Sequence, residues 1–107
     1  MQIQIRHDEN LKGDKHGWIA ATVEDALERY GAQITTVEVH LADEDGPKNS
    51  DGAIRCSLEV RAAGFKPLAA TAHADEVGLA VEAALGKITR LLESLLGRVR
   101  DVHANPL

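Results

Sequence analysis

Three basic residues near the end of the chain have the spacing of a continuous stripe along a helix. At about 100° per residue, Lys87, Arg90 and Arg98 fall within about 80° of arc, and Ser94 falls in the same sector. These cations would span roughly 16 Å, a length over which they could follow the phosphates of a nucleic acid. A solvated helix face, with cations that stabilise the C-terminal end of the helix dipole, gives the same pattern and is the commoner case.

A catalytic nucleophile with a nearby base is not indicated. Cys56 is the single cysteine, and it belongs to the inward set of an alternating segment, where a buried and inert thiol is the usual outcome. His40 belongs to the outward set of its own segment, so the two side chains need not meet. We therefore predict no catalytic residues and no enzyme activity.

The five histidines do not have the spacing of a metal site, since no two of them stand at i and i+4. A zinc or copper ion held by His40 and His73 on the outer face of a sheet stays an open hypothesis. The acidic loop that begins at Asp43 lacks the later oxygen ligands and the final glutamate of an EF-hand. No glycine-rich loop with a Lys-Ser/Thr pair is present. We predict no metal, no cofactor and no small-molecule substrate.

The composition is that of one small globular domain. The chain has 107 residues, with 12 basic and 17 acidic side chains, and a formal net charge of −5. One cysteine cannot form an internal disulfide and fits a reducing compartment. No apolar run approaches the roughly 20 residues of a membrane helix, and the alternating start has no signal-peptide core. We predict a single cytoplasmic domain over residues 1–107, with 102–107 as a frayed tail.

The periodicity predicts four strands and two helices. Alternation places strands at 2–6, 34–41, 54–61 and from 68 onward, with a long hairpin loop at 43–52 and a turn at 64–67. Helical spacing covers 16–30, which Gly31 should end, and 75–100, for which Asp75 or His73 is the expected N-cap. Trp18 lies off the apolar face of the first helix and is expected to pack against the preceding loop rather than to serve as an anchor for a binding partner. The order β-α-β-β-β-α predicts an α+β fold, in which two helices cover one face of a four-stranded sheet.

Two segments resemble the ribosome hibernation-promoting factors, also called the sigma-54 modulation family. One is residues 36–41 with the acidic, glycine-containing loop that follows, and the other is residues 74–93. The ending 96–101 is similar to that of short, free-standing members. The resemblance covers the whole chain and implies a fold like that of double-stranded-RNA-binding domains.

The resemblance implies a function as well. Such domains bind the 16S rRNA of the small (30S) ribosomal subunit in the channel for mRNA and tRNA, and they inhibit translation during stress or stationary phase. Lys87, Arg90 and Arg98 match the family's basic row on the second helix, whereas Ser94 replaces an expected cation.

Two further basic residues and one alternative function complete the predictions. Arg55 and Arg61, on the outer sheet face, are second-rank candidates for rRNA contacts. The first helix is acidic where ribosome-binding members are basic, since Glu24, Asp25 and Glu28 outnumber Arg29. The alternative is therefore a protein-interaction module of the same fold that binds no RNA. Such a module could be a weak homodimer through an exposed strand edge, or it could bind a basic protein.

Overall fold

The computed structural model describes residues 1–7, 16–43 and 54–97. The strands are β1 (Gln2–His7), β2 (Ile34–Asp43), β3 (Ile54–Ala62) and β4 (Leu68–Ala74), and the helices are α1 (His16–Leu27) and α2 (Val77–Leu92). A 3₁₀ turn, Glu28–Tyr30, extends α1, and a π-helical turn, Glu93–Gly97, extends α2. This order confirms the predicted β-α-β-β-β-α fold. None of the described helices is both long enough and apolar enough to cross a membrane.

The four strands form one sheet in the order β1-β2-β3-β4. β1 is parallel to β2, because the connection between them crosses over through α1, whereas β2, β3 and β4 form the predicted antiparallel meander. The register shifts near the start of β2, between Ile34 and Thr36. This bulge lets both Ile34 and Val37, three positions apart, face the core.

The core lies between the inner face of the sheet and the two helices. Val37 and Val39 on β2, and Cys56 on β3, are completely inaccessible to solvent. They meet apolar residues of both helices, including Val23 and Ile88, which are equally buried. Because burial of one such aliphatic side chain contributes about 1.5 to 3 kcal/mol, this layer is the main source of stability.

The ends of the helices differ from the predictions. α2 begins at Val77 after Glu76, which has an extended backbone and makes no side-chain capping bond, so neither Asp75 nor His73 is the N-cap. Gly31 follows the first helix as predicted, but its φ of −58° is right-handed, so the glycine is not needed for a left-handed stop. The regular part of α2 ends at Leu92, and residues 98–107, including the predicted tail, lie outside the described residues.

The two helices run in the same direction and contact each other toward both ends. At the first contact, the Trp18 ring packs on α2 at Gly78, where an added Cβ would stand 3.3 Å from the ring. Trp18 therefore packs on the other helix, whereas the loop against which it was predicted to pack, residues 8–15, lies outside the described residues. The glycine allows this approach, which compensates for its poor helix propensity.

The second contact is a polar cluster at the far end of the helices. The hydroxyl of Tyr30, a residue that is 2% exposed, donates a hydrogen bond to the Glu93 carboxylate. Arg29 lies 3.8 Å from the same carboxylate and stands 5.3 Å from the centre of the Tyr30 ring. The cluster joins residues 63 positions apart and ties the end of α1 to the turn after α2.

We expect Tyr30→Phe to lower the free energy of unfolding by about 1 to 2 kcal/mol, because the ring still fills the core while the hydrogen bond to a charged acceptor is lost. Urea denaturation measures the change. Arg29→Gln serves as the comparison, since its ion pair is exposed and should contribute less than about 1 kcal/mol. A Tyr30→Phe protein as stable as the parent would show that the hydrogen bond contributes nothing.

Candidate nucleic-acid interface

Lys87 and Arg90 lie on the exposed side of α2, one turn apart. Helical periodicity places them there because the opposite side of α2 carries the buried residues Val81, Leu85 and Ile88. The third member of the predicted stripe, Arg98, lies outside the described residues. The interface can therefore be built from two of its three cations.

Lys87 extends from α2 to the edge of the sheet. Its ammonium nitrogen donates a 2.8 Å hydrogen bond to the backbone carbonyl of Thr71 on β4. β4 is at the edge of the sheet formed by the described strands, and this bond gives a partner to a backbone carbonyl of that edge strand. A lysine ammonium has three donors, and two of them stay available to phosphate oxygens.

Arg90 lies back along its own helix. Its Nε donates a 3.2 Å hydrogen bond to the carbonyl of Gly86, and a Cβ added at Gly86 would stand 3.7 Å from Nη2. Because Gly86 has no side chain, the Arg90 guanidinium can lie close to the helix backbone at this position. The terminal nitrogens of Arg90 present the fork geometry that suits a phosphate.

Two hydroxyl groups extend this interface onto the sheet, and sequence reasoning missed them. The hydroxyls of Ser57 and Thr71 are 3.1 Å apart on neighbouring strands, and Lys87 binds the backbone of the same Thr71. Alternation placed both residues on the outer face, opposite the helices, and the β3–β4 register brings them together at the strand whose backbone Lys87 reaches from α2. Hydroxyl groups are ordinary donors to phosphate and ribose.

The second-rank candidates lie on β3, as predicted, but in different surroundings. Arg61 is paired with Glu59 at 2.9 Å, so its charge is largely offset. Arg55 lies two positions along β3 from Ser57, beside a depression of about 150 Å³ that Arg6, His7 and His40 also line. Arg55 is therefore the better placed of the two to extend a cationic surface.

The structure also shows where Cys56 and His40, the residues considered as a nucleophile and its base, lie in the sheet. Cys56 faces the core while His40 faces outward, because His40 pairs with Ser57 and the neighbouring Leu41 pairs with Cys56. Burial raises the pKa of the Cys56 thiol to about 12, the opposite of what a nucleophile needs.

The two histidines of the metal hypothesis lie on the outer face of the sheet, His40 on β2 and His73 on β4. β3 separates them, and Arg55 on that strand pairs with His73, which places a cation at the centre of the hypothetical site. Within the described ranges, no group of three or more His, Cys, Asp or Glu side chains is arranged to hold a metal ion. All but the first residue of the acidic loop considered for calcium, Asp43, lies outside those ranges.

Two solved structures share this fold over nearly their whole length. A ribosomal subunit interface protein from Coxiella burnetii has a TM-score of 0.67 at 17% identity, with 91% of this chain and 99% of that chain covered. The N-terminal domain of Protein Y from Thermus thermophilus has a TM-score of 0.67 at 16% identity, with 88% of this chain and 98% of that chain covered. No protein-family model matches the sequence, and no curated protein matches it.

One of the two relatives is by name a ribosomal subunit interface protein, and the matches cover about nine tenths of this chain. At 16 to 17% identity, such a likeness bears on the fold and leaves the roles of individual residues open. The resemblance predicted from the sequence is confirmed at the level of the fold: this chain has the fold of the ribosomal subunit interface protein and of the Protein Y N-terminal domain.

Proposed function

We propose that this chain is a non-catalytic protein that binds the rRNA of the small ribosomal subunit and inhibits or modulates translation. The observation that carries the proposal is the pair of exposed cations on α2, Lys87 and Arg90, the first of which reaches the edge strand β4, in a fold shared with a ribosomal subunit interface protein. The proposed setting is the cytoplasm, under stress or in stationary phase.

The proposed mechanism is steric. Lys87, Arg90 and Arg98 contact rRNA phosphates and hold the domain in the channel used by mRNA and tRNA, with Ser57 and Thr71 as neutral donors at the same surface. Arg55 and Arg61 are secondary contacts. No bond is made or broken, so release requires only competition for the channel or a rise in salt.

Electrostatic attraction contributes less to the proposed binding than is usual for a protein that binds nucleic acid. The chain carries a net charge of −5, so long-range attraction to rRNA is limited to the local stripe. If three phosphates are neutralised, the logarithm of the binding constant should fall against the logarithm of salt concentration with a slope of about −2 to −3.

Co-sedimentation on sucrose gradients tests the proposal. We expect the purified protein to migrate with 30S subunits and 70S ribosomes, and to be lost from them as salt rises along the expected slope. Free 50S subunits are the matched control and should carry no protein. Absence of the protein from 30S and 70S fractions even at low salt would overturn the proposal.

The alternative of a homodimer is favoured by one observation. Lys87 occupies the backbone edge of β4, whereas the outer edge of β1 (Gln2–His7) faces no other described strand. An exposed strand edge can pair with a second copy. Light scattering coupled to size-exclusion chromatography distinguishes the two states, since the sequence mass of a monomer is 11.5 kDa.

A further inference from the structure

An open groove runs between the two helices, on the side of the molecule away from the sheet. Between the two helix contacts, α1 and α2 leave a space of about 710 Å³, lined mainly by Trp18, Thr22, Asp25 and Ala26 of α1 and by Glu82 and Leu85 of α2. Its interior is largely apolar, while a carboxylate stands on each wall. Trp18, which is 47% exposed, lies at the end nearest Gly78.

The acidic character continues along α1. A second depression of about 280 Å³ is lined by Ala21, Glu24, Asp25 and Glu28, so Asp25 is shared by both spaces. Among residues 1–7, 16–43 and 54–97, no lysine or arginine lines either depression. Arg29, the single arginine or lysine among residues 16–30, is engaged with Glu93 and the Tyr30 ring.

We propose that this groove binds an arginine-rich segment of a partner protein. A guanidinium can stack on the exposed face of an indole and donate paired hydrogen bonds to a carboxylate, and the groove presents Trp18, Asp25 and Glu82 together. From Trp18 to Glu28 the helix rises about 15 Å. That length accommodates about five residues of extended chain.

Charge selects this class of partner over nucleic acid. Carboxylates on both walls repel phosphates, so an RNA strand is disfavoured in the groove. Glu82 and Lys87 are five positions apart on α2, which separates them by about 140° around the helix axis. The groove and the cationic stripe can therefore be occupied at the same time, and the inferred site goes beyond the proposed rRNA contact.

Trp18 is the single tryptophan of the chain, so its emission reports directly on the groove. We expect an acetylated penta-arginine peptide to change this emission saturably at low salt, and penta-lysine to bind more weakly because it lacks the planar fork. Penta-glutamate and oligouridylate should cause no change. Anisotropy of a dye-labelled peptide measures the same binding independently of Trp18.

The decisive variant is Asp25→Asn with Glu82→Gln, which removes one carboxylate from each wall with little change in shape. We expect it to weaken peptide binding at least tenfold, about 1.4 kcal/mol. Glu38→Gln with Glu59→Gln changes the net charge equally on the outer face of the sheet and should weaken binding less than twofold. Circular dichroism checks that all variants are folded.

Three results would overturn the inference. One is the absence of saturable binding by both emission and anisotropy. Another is an equal loss of affinity in the two double variants, which would mean non-specific attraction to an acidic protein. The third is a saturable response to oligouridylate that the Asp25→Asn, Glu82→Gln variant abolishes, which would make the groove an RNA site.

Discussion

Lys87→Glu combined with Arg90→Glu is expected to abolish co-sedimentation with small ribosomal subunits. The change removes two cations from the proposed interface and places two carboxylates against rRNA phosphates, so attraction becomes repulsion. We expect the affinity to fall at least about a hundredfold, or ~2.7 kcal/mol. Gradient sedimentation at low salt gives the largest signal, because screening is weakest there.

A matched control separates a local interface from overall charge. Arg6→Glu with Lys66→Glu changes the net charge by the same amount, on the outer face of β1 and in the turn before β4. This control should keep most of the binding. An equal loss of ribosome binding in both variants would mean that the α2 stripe is not a specific interface and that general charge repulsion explains the effect.

Stability should change little in the charge-reversed protein. Lys87 loses one exposed hydrogen bond to Thr71, which is worth about 1 kcal/mol at most, and Arg90 loses a bond to its own helix. Thermal melting, monitored by circular dichroism, therefore distinguishes a loss of binding from a loss of folding. A large drop in Tm would mean that Lys87 is needed chiefly to cover the edge of β4.

Native Cys56 is expected to be almost inert to thiol reagents. Burial raises the pKa of its thiol from 9.0 to about 12, because desolvation disfavours the thiolate. Near pH 8 the thiolate fraction is then about a thousandfold lower than for a free cysteine, and the thiolate is the reactive form. Labelling with a chromogenic disulfide reagent, followed at this pH, measures the effect.

Unfolding provides the control for this prediction, since urea should restore rapid labelling of the same residue. Fast labelling in native buffer, at the rate seen in urea, would contradict a buried thiol on the inner face of β3.

The raised pKa of the Cys56 thiol also predicts that the stability of the protein depends on pH. Below pH 9 the thiol is neutral in both states, whereas above it only the unfolded chain ionises, so the free energy of unfolding falls as pH rises from 9.0 toward 12.

Much of the fold follows from local periodicity. Alternation in β2 and β3 assigned Val39 and Cys56 to the core, and His40 to the opposite face, because successive side chains of a strand point to opposite sides. The helical spacing of Val81, Leu85 and Ile88 likewise assigned the buried side of α2, which leaves Lys87 and Arg90 exposed. These inferences need no knowledge of distant contacts.

Other features depended on residues far apart in the chain. The contact between Trp18 and Gly78 was not predicted, because only the packing of α1 beside α2 brings these two residues together. The predicted N-caps of α2 were also wrong, since α2 begins later, at Val77, after Glu76 in an extended conformation. Local cap preferences yield when tertiary structure sets the chain direction.

The amino-acid sequence by itself determined which residues form the strands and helices, which faces are apolar, and where the cations of α2 stand. Periods of two and 3.6 residues carry that information locally. The tertiary structure alone decided that Lys87 meets Thr71, that Tyr30 meets Glu93, and that Trp18, Asp25 and Glu82 share one groove. Such contacts arise when non-adjacent elements are packed to bury a common core, and no short window of sequence encodes the resulting distances.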